Sequence, residues 1–237
     1  IGMGQFKHLA RRNMPMVYIV ENNGVYGLTK GQFSATAEEG LLLKRQGINT
    51  YLPVDICMEA LVTNASFVAR GFAGDPKQLK NLLKAALSHD GLAILDIISP
   101  CVTFHNKENS YHSYLWGKEH EVQLHDIEFV QARDEITIED FEPGSSKEVS
   151  LHDGTVVLMK KLEKDYDPTN RYEALRILEE AERENTLITG LLFVDPNAKT
   201  LFDRYSLPDQ PLNRLETSKL RPSIDVLEKV NQSLFMK

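Results

Sequence analysis

Met16 to Gln32 reads MVYIVENNGVYGLTKGQ, and the point where its apolar start meets two adjacent asparagines decides the fold. Met16–Val20 is apolar and rich in β-branched residues, short enough for a buried strand. Asn22 and Asn23 follow at its end, and then a loop in which glycines recur. Outward from this stretch, strand and helix patterns alternate. VDICMEALVTNA predicts a short helix with Ile56, Ala60 and Leu61 on one face, and SFVARGF predicts a second strand. DPKQLKNLLKAALSHDG predicts a helix capped by Asp75, with Pro76 at its first position and Gly91 as its stop. Its apolar stripe is Leu79, Leu82, Leu83, Ala86 and Leu87. LAILDIIS predicts a third apolar strand. Alternation of this kind predicts an α/β domain, a parallel sheet with helices on both faces.

Ahead of the first strand, IGMGQFKHLARRNMP reads as the inside of a helix, with Phe6, Leu9 and Ala10 on one face and no cap before it. The expectation is a fragment whose first element lies upstream. Past about residue 108 the pattern turns polar and aromatic, and KENSYHSYLWGKEHEVQLHD is expected to be a surface arm. KEVSLHDGTVVLMKKL predicts a hairpin turning at Asp153-Gly154, with GSSKE as a turn before it. DPTNRYEALRILEEAEREN predicts an amphipathic helix along Tyr172, Leu175, Leu178 and Ala181, and LITGLLFVD one more strand. The last thirty or so residues mix prolines with a final short helix. The expected organisation is a domain over 1–137, with the arm from about 108, and an α+β extension over 138–237.

Composition excludes several classes of function. With 34 Asp and Glu against 27 Lys and Arg, the net charge is −7, so no nucleic acid is expected as partner. No apolar run is long enough for a membrane span and no signal peptide opens the chain, so no membrane is expected either. Cys57 and Cys101 give no disulfide framework, which makes the reducing cytoplasm the expected location.

In open parallel sheets ligands bind beyond the carboxyl ends of the strands. Asn22 and Asn23 stand there. An asparagine oxygen suits a hard cation such as Mg²⁺, although paired asparagines after a strand also make a plain turn. Cys101, directly after a strand and a proline, reads either as a structural core cysteine or as a ligand. Cys57, on a helix face, reads as core. His105, His112, His120 and His125 show no metal spacing and are expected to be solvated or at an interface. His8 is expected to pack or cap. Tyr111, Tyr114 and Trp116 suit a lid on this domain or a contact with a partner.

The run IG…H..ARRN…NNGVYGLTKGQ resembles the thiamine-diphosphate-binding region of the 2-oxoacid:ferredoxin oxidoreductases, in particular their β subunit. The resemblance implies the thiamine-diphosphate-binding fold, here its diphosphate-binding domain. It implies Asn23 as a side-chain ligand and Val25 as a carbonyl ligand of Mg²⁺, with Tyr26, Gly27, Leu28 and Thr29 beside the cofactor. Thr29 would hydrogen-bond the diphosphate, and Leu28 would face the reactive end. The family's Gly-Asp-Gly stretch would fall upstream of Ile1. Pro-Cys-x-Thr-Phe is similar to the site of the fourth [4Fe–4S] ligand in the same subunits, which implies that role for Cys101. The other three ligands come from an N-terminal segment in the family.

DPTNR, GLLFVDP and YGLTKGQ are similar to 2-oxoglutarate-type rather than pyruvate-type members. The implied activity is CoA-dependent oxidative decarboxylation of a 2-oxoacid, with electrons passed to ferredoxin. The glutamate that activates the cofactor would belong to a partner α subunit, so this chain would hold no catalytic residue of its own. Two other readings stay open: a non-oxidative thiamine-dependent decarboxylase or synthase subunit, and a non-catalytic assembly subunit.

Overall fold

The computed structural model describes residues 2–107, 110–130, 146–150, 156–161 and 166–235. Ile1–Leu201 forms one compact unit and Phe202–Lys237 a second. In the first unit helix α1 (Met3–Arg12) leads into strand β1 (Met16–Asn22). Two small hairpins follow, β2 (Val25–Tyr26) with β3 (Gln32–Phe33) and β4 (Leu42–Leu43) with β5 (Gly47–Ile48). Next come α2 (Ile56–Val62), β6 (Phe67–Phe72), α3 (Pro76–Ser88) and β7 (Leu92–Ile98). Then α4 (Tyr114–His120) runs into β8 (Glu121–Gln123), and β9 (His125–Val130), β10 (Ser146–Ser150) and β11 (Val156–Lys161) form a separate antiparallel sheet. Helix α5 (Arg171–Glu184) and β12 (Leu187–Val194) complete the main sheet. Helix α6 (Leu201–Arg204) begins at the unit boundary, and α7 (Thr217–Leu220) and α8 (Ile224–Phe235) belong to the second unit.

The five-stranded sheet runs β1-β7-β6-β12-β8. β1, β7 and β6 are mutually parallel, β12 is antiparallel to β6, and β8 is parallel to β12. It is thus a mixed sheet, parallel over β1, β7 and β6 with helices on both faces as expected, and with β12 and β8 reversed. α1, α2 and α5 cover one face through Phe6, Ala60, Leu61, Ile177 and Leu178 against Val68, Ile94 and Leu192. α3 covers the other through Leu82, Ala85 and Ala86 against Phe67, Ala69, Leu95 and Val194. Every residue of β6, β7 and β12 is buried. Each fully buried large aliphatic side chain there contributes roughly 1.5–3 kcal/mol.

Local chemistry sets the ends of the helices. Asp55 accepts from the Met58 amide at 2.8 Å, and Asp75 accepts from Lys77 and Gln78 at 3.1 Å. Asn170 caps α5 through the Tyr172 and Glu173 amides. No side chain caps α1, as its sequence implied. Where α1 ends, the buried Asn13 ties it to the sheet: its Oδ1 accepts from Ser66 Oγ at 2.6 Å and from the Leu92 amide at 2.8 Å.

Several expectations need correction. β1 is an edge strand, and Met16 and Ile19 are 42% and 47% exposed, because among the described residues no strand pairs with its outer side. The polar stretch after residue 108 is not merely a surface arm. Ser113 caps α4, Trp116 is buried against Phe72, Ile98 and Leu187, and β8 joins the sheet beside β12. Its Gly117 is required by space, since a Cβ there would meet the Phe72 ring at 2.5 Å. From the stretch expected to be an extension, β12 joins the main sheet and α5 packs on one of its faces. In α5 the buried stripe is Ala174, Ile177, Leu178 and Ala181, while Tyr172 is exposed. Likewise Leu87 of α3 is exposed. β10 and β11 pair as a hairpin with Ser150 opposite Val156. Its expected turn at Asp153-Gly154 lies outside the described residues, as does Gly144-Ser145 of the preceding turn. Among the described residues no helix is long and apolar enough to cross a membrane.

Candidate functional site

β1 and β7 are parallel neighbours in register, Asn22 beside Ile98, so the loops that leave them start at the same edge of the sheet. The Ser99 amide donates to the Asn22 carbonyl at 2.8 Å and holds the two exits together. Asn22 is buried, and its Oδ1 faces Thr36 Oγ1 at 2.6 Å and His112 Nε2 at 3.0 Å. Asn23 turns its side chain back on the loop, where Oδ1 accepts from the Val25 amide at 3.1 Å. Gly24 adopts a φ of +70°, and a Cβ on it would lie 2.8 Å from His105 Nδ1. Both the left-handed backbone and the lack of room call for glycine.

Val25 and Tyr26 then pair with Phe33 and Gln32. Val25 is buried, Tyr26 is 40% exposed, and Leu28 at the tip is 99% exposed. The Thr29 hydroxyl reaches the Gln32 side chain and, at 3.4 Å, the Tyr26 carbonyl. Gly27 accepts from the Lys30 amide at 3.0 Å, which closes the tip.

Beyond β7 the chain bends tightly, with the His105 amide donating to the Cys101 carbonyl at 2.8 Å. The bend swings His105 beneath the asparagine loop, where its Nδ1 donates to the Asn23 carbonyl at 3.1 Å. Cys101 is a free, half-buried thiol packed with Val25, Ala37, Leu41 and Leu43. The structure therefore brings together the Asn23 loop and the Cys101 turn, and leaves Leu28 and Thr29 on an exposed tip of this chain.

Oxygen and sulfur chemistry decide what these residues can hold. Asn23 Oδ1 spends one lone pair on the Val25 amide and keeps a second, which suits one ligand position of a hard cation. Cys101, half-exposed and unpaired, suits a thiolate ligand. Cys57 does not: it is fully buried in α2, its thiol donates to the Ala69 carbonyl at 3.8 Å, and burial pushes its pKa well up. It is core, as expected.

Two clusters escaped the sequence reading. Arg70 and Asp96 face each other on β6 and β7 inside otherwise apolar strands, and those charges were the signal available in FVARGF and LAILDII. The Arg70 guanidinium bonds Asp55 at 2.7 Å and Asp96 at 3.1 Å. One cation serves two carboxylates. Burial, with the Asp55 charge adding to it, raises the Asp96 pKa against the pull of Arg70, and Asp96 Oδ1 has no hydrogen-bond partner. These groups line a cavity of about 510 Å³ together with Asn22, Glu38, Tyr111 and His112.

The second cluster is Glu38, His105, Ser110 and His112. Both histidines, expected to be solvated or at an interface, are buried within this chain. Glu38 lies 3.2 Å from His105 Nε2 and 3.1 Å from His112 Nδ1. Burial opposes its ionisation, but the two histidines beside it hold its carboxyl far below the usual range. The histidines and Ser110 share the segment after β7, but Glu38 comes from the loop between β3 and β4, so no contiguous motif signalled the cluster. Tyr111, Tyr114 and Trp116 pack on their own domain. His120 stacks on Trp116 at 4.3 Å, and His8 is exposed rather than packed.

Residues 1–97 match the family described as thiamine pyrophosphate enzyme, C-terminal TPP binding domain. The chain is similar to a 2-oxoacid:ferredoxin oxidoreductase subunit beta from Saccharolobus solfataricus, 44% identical over 115 residues, covering 46% of this chain and 37% of the relative. It is also similar to a 2-oxoglutarate synthase subunit KorB from Archaeoglobus fulgidus, 35% identical, covering 44% and 39%. The chain thus spans little more than a third of the length of these curated relatives. Among solved structures it is similar to a 2-oxoglutarate:ferredoxin oxidoreductase from Magnetococcus marinus with 2-oxoglutarate, coenzyme A and succinyl-CoA bound. That likeness has a TM-score of 0.61 and 26% identity, over 86% of this chain and 55% of the other.

Proposed function

From a chain related to the β subunits of 2-oxoacid:ferredoxin oxidoreductases, with the C-terminal TPP-binding domain of thiamine pyrophosphate enzymes over residues 1–97, we propose a cofactor-holding part of such an oxidoreductase. The reaction is CoA-dependent oxidative decarboxylation of a 2-oxoacid, with ferredoxin as electron acceptor and an α subunit as obligate partner. The observation that carries it is the junction of two loops at one sheet edge: the hydrogen bond from His105 to the Asn23 carbonyl joins the Cys101 turn to the asparagine loop.

When bound, thiamine diphosphate supplies the electron sink that lets a 2-oxoacid lose CO₂. The residues of this chain hold and orient it. Asn23 Oδ1 and the Val25 carbonyl would be ligands of Mg²⁺, and the Thr29 hydroxyl would donate to the diphosphate. The Tyr26-Gly27 backbone would lie along the cofactor. Leu28 has no polar atom, so it sets only the shape of a pocket that the α subunit completes. The Cys101 thiolate would hold one corner of a [4Fe–4S] cluster, the route for single electrons to ferredoxin. 2-Oxoglutarate is favoured as substrate because KorB relatives are named for it and the similar solved structure binds it. Free thiols favour a reducing cytoplasm.

The test uses the native complex, purified anaerobically with its partner subunit. Viologen reduction should require both CoA and a 2-oxoacid and run faster with 2-oxoglutarate than with pyruvate. About four irons per chain are expected, lost in Cys101→Ser. A complex with no iron and no 2-oxoacid-dependent reduction would overturn the proposal.

A further inference from the structure

Glu38, His105 and His112 place their ligating atoms within 4.8 Å of one another, and we propose that they form a transition-metal site, best matched to Zn²⁺, that locks the loop between β3 and β4 to the segment after β7. The proposal is independent of the assigned reaction. It begins with the tautomers. The Asn23 carbonyl can only accept, so His105 Nδ1 carries the proton and its Nε2 points inward to Glu38 and Ser110. Asn22 Oδ1 already accepts from Thr36, so His112 Nε2 donates to it and His112 Nδ1 points inward. Each imidazole thus gives its outer N–H to a fixed oxygen, which is how metal-bound histidines are oriented.

The inner atoms then face a carboxylate. Two neutral rings would set lone pairs against Glu38 at 3.1 and 3.2 Å, which is repulsive unless something positive lies between. Protonating both rings would put two buried cations, with ring centroids 5.1 Å apart, on one carboxylate. An unmatched buried charge of that kind is costly. The Ser110 hydroxyl has one proton and two acceptors, Glu38 at 2.8 Å and His105 Nε2 at 2.7 Å, so it cannot satisfy both. Glu38 Oε2 is left without a hydrogen bond. A single divalent ion shared by the three groups removes each conflict at once.

Dimensions agree. With Zn–N and Zn–O bonds near 2 Å, a tetrahedral site has ligand-to-ligand edges of about 3.3 Å. Two imidazoles and a carboxylate form an N/O set suited to zinc, and the fourth position can take a water. The way in is the cavity, which Glu38 and His112 both line.

The test is a titration of the full polypeptide, first stripped with a chelator, using Co²⁺ as the visible probe and Zn²⁺ as competitor. The expected result is one Co²⁺ per chain with the intense visible bands of a tetrahedral site, displaced by Zn²⁺ and unmoved by excess Mg²⁺. Glu38→Gln and His112→Gln should each weaken binding at least tenfold, whereas Cys101→Ser and His120→Gln should not. Circular dichroism checks that the variants fold. Should they not fold, X-ray absorption of the zinc-loaded unsubstituted protein decides, with two imidazole nitrogens and no sulfur expected. No stoichiometric Co²⁺ binding by the unsubstituted protein, sulfur in the zinc shell, or undiminished binding in folded Glu38→Gln and His112→Gln would overturn the site. The cluster would then be a proton-linked network only.

Discussion

Asp96 is fully buried and shares a single guanidinium with Asp55, and burial first of all fixes the sign of its effect on stability. Its folded pKa lies above the ordinary value of about 3.9. The stability it contributes is therefore present below that value and lost as pH rises through the folded pKa. Comparing urea midpoints of the protein and of Asp96→Asn from pH 4 upward should show the unsubstituted protein losing ground as pH rises. A difference that does not vary with pH would contradict this. Removing the cation is harsher: Arg70→Ala leaves Asp55 and Asp96 without a counter-charge and should cost about 3–5 kcal/mol in the same assay. On the function proposed above, Gly24→Ala should drive His105 from the Asn23 carbonyl and weaken Mg²⁺-dependent thiamine diphosphate binding by calorimetry, with less effect on thermal stability. At this scale legibility followed locality. Asn23, Val25 and Cys101 sit in contiguous motifs that sequence reading singles out, whereas Glu38 comes together with His105 and His112 only where two distant loops converge.

Among the elements, α4 shows how a short helix hides. Its seven residues carry no readable period, and its polar neighbours seemed to mark a solvated arm. Yet Ser113 caps it and Trp116 sits 5.5 Å from Tyr111 in a buried aromatic cluster. Trp116→Ala should thus destabilise the fold by about 3–5 kcal/mol; a lid would leave the melting temperature unchanged. The longer elements were legible because they carry several signals at once. Asp75, Pro76 and a leucine stripe all point to α3, and Asn170 with a buried face marks α5. In α5 the expected stripe shared Leu178 and Ala181 with the buried face, whereas Ala174 and Ile177 complete that face and Tyr172 is left facing out. The reversal of β12 had no local signal, since a wholly buried strand is apolar whichever way it runs.

For the whole molecule, the alternation of apolar strands and capped helices carried the layered architecture. What it could not carry was how far the sheet continues, because residues 166–194 return to it after a long excursion. If the function proposed above is right, this chain without its partner should show no 2-oxoacid-dependent dye reduction. Dye reduction by the isolated chain would contradict the division of labour between subunits. The uncovered side of β1 bears on handling as well as on chemistry. MVYIVEN holds no lysine or proline to discourage pairing, and its outward backbone amides and carbonyls offer a template for another strand. A purified sample should therefore have a solubility ceiling: light scattering should rise steeply with concentration as copies zip edge to edge, and Ile19→Lys should raise that ceiling without altering the fold.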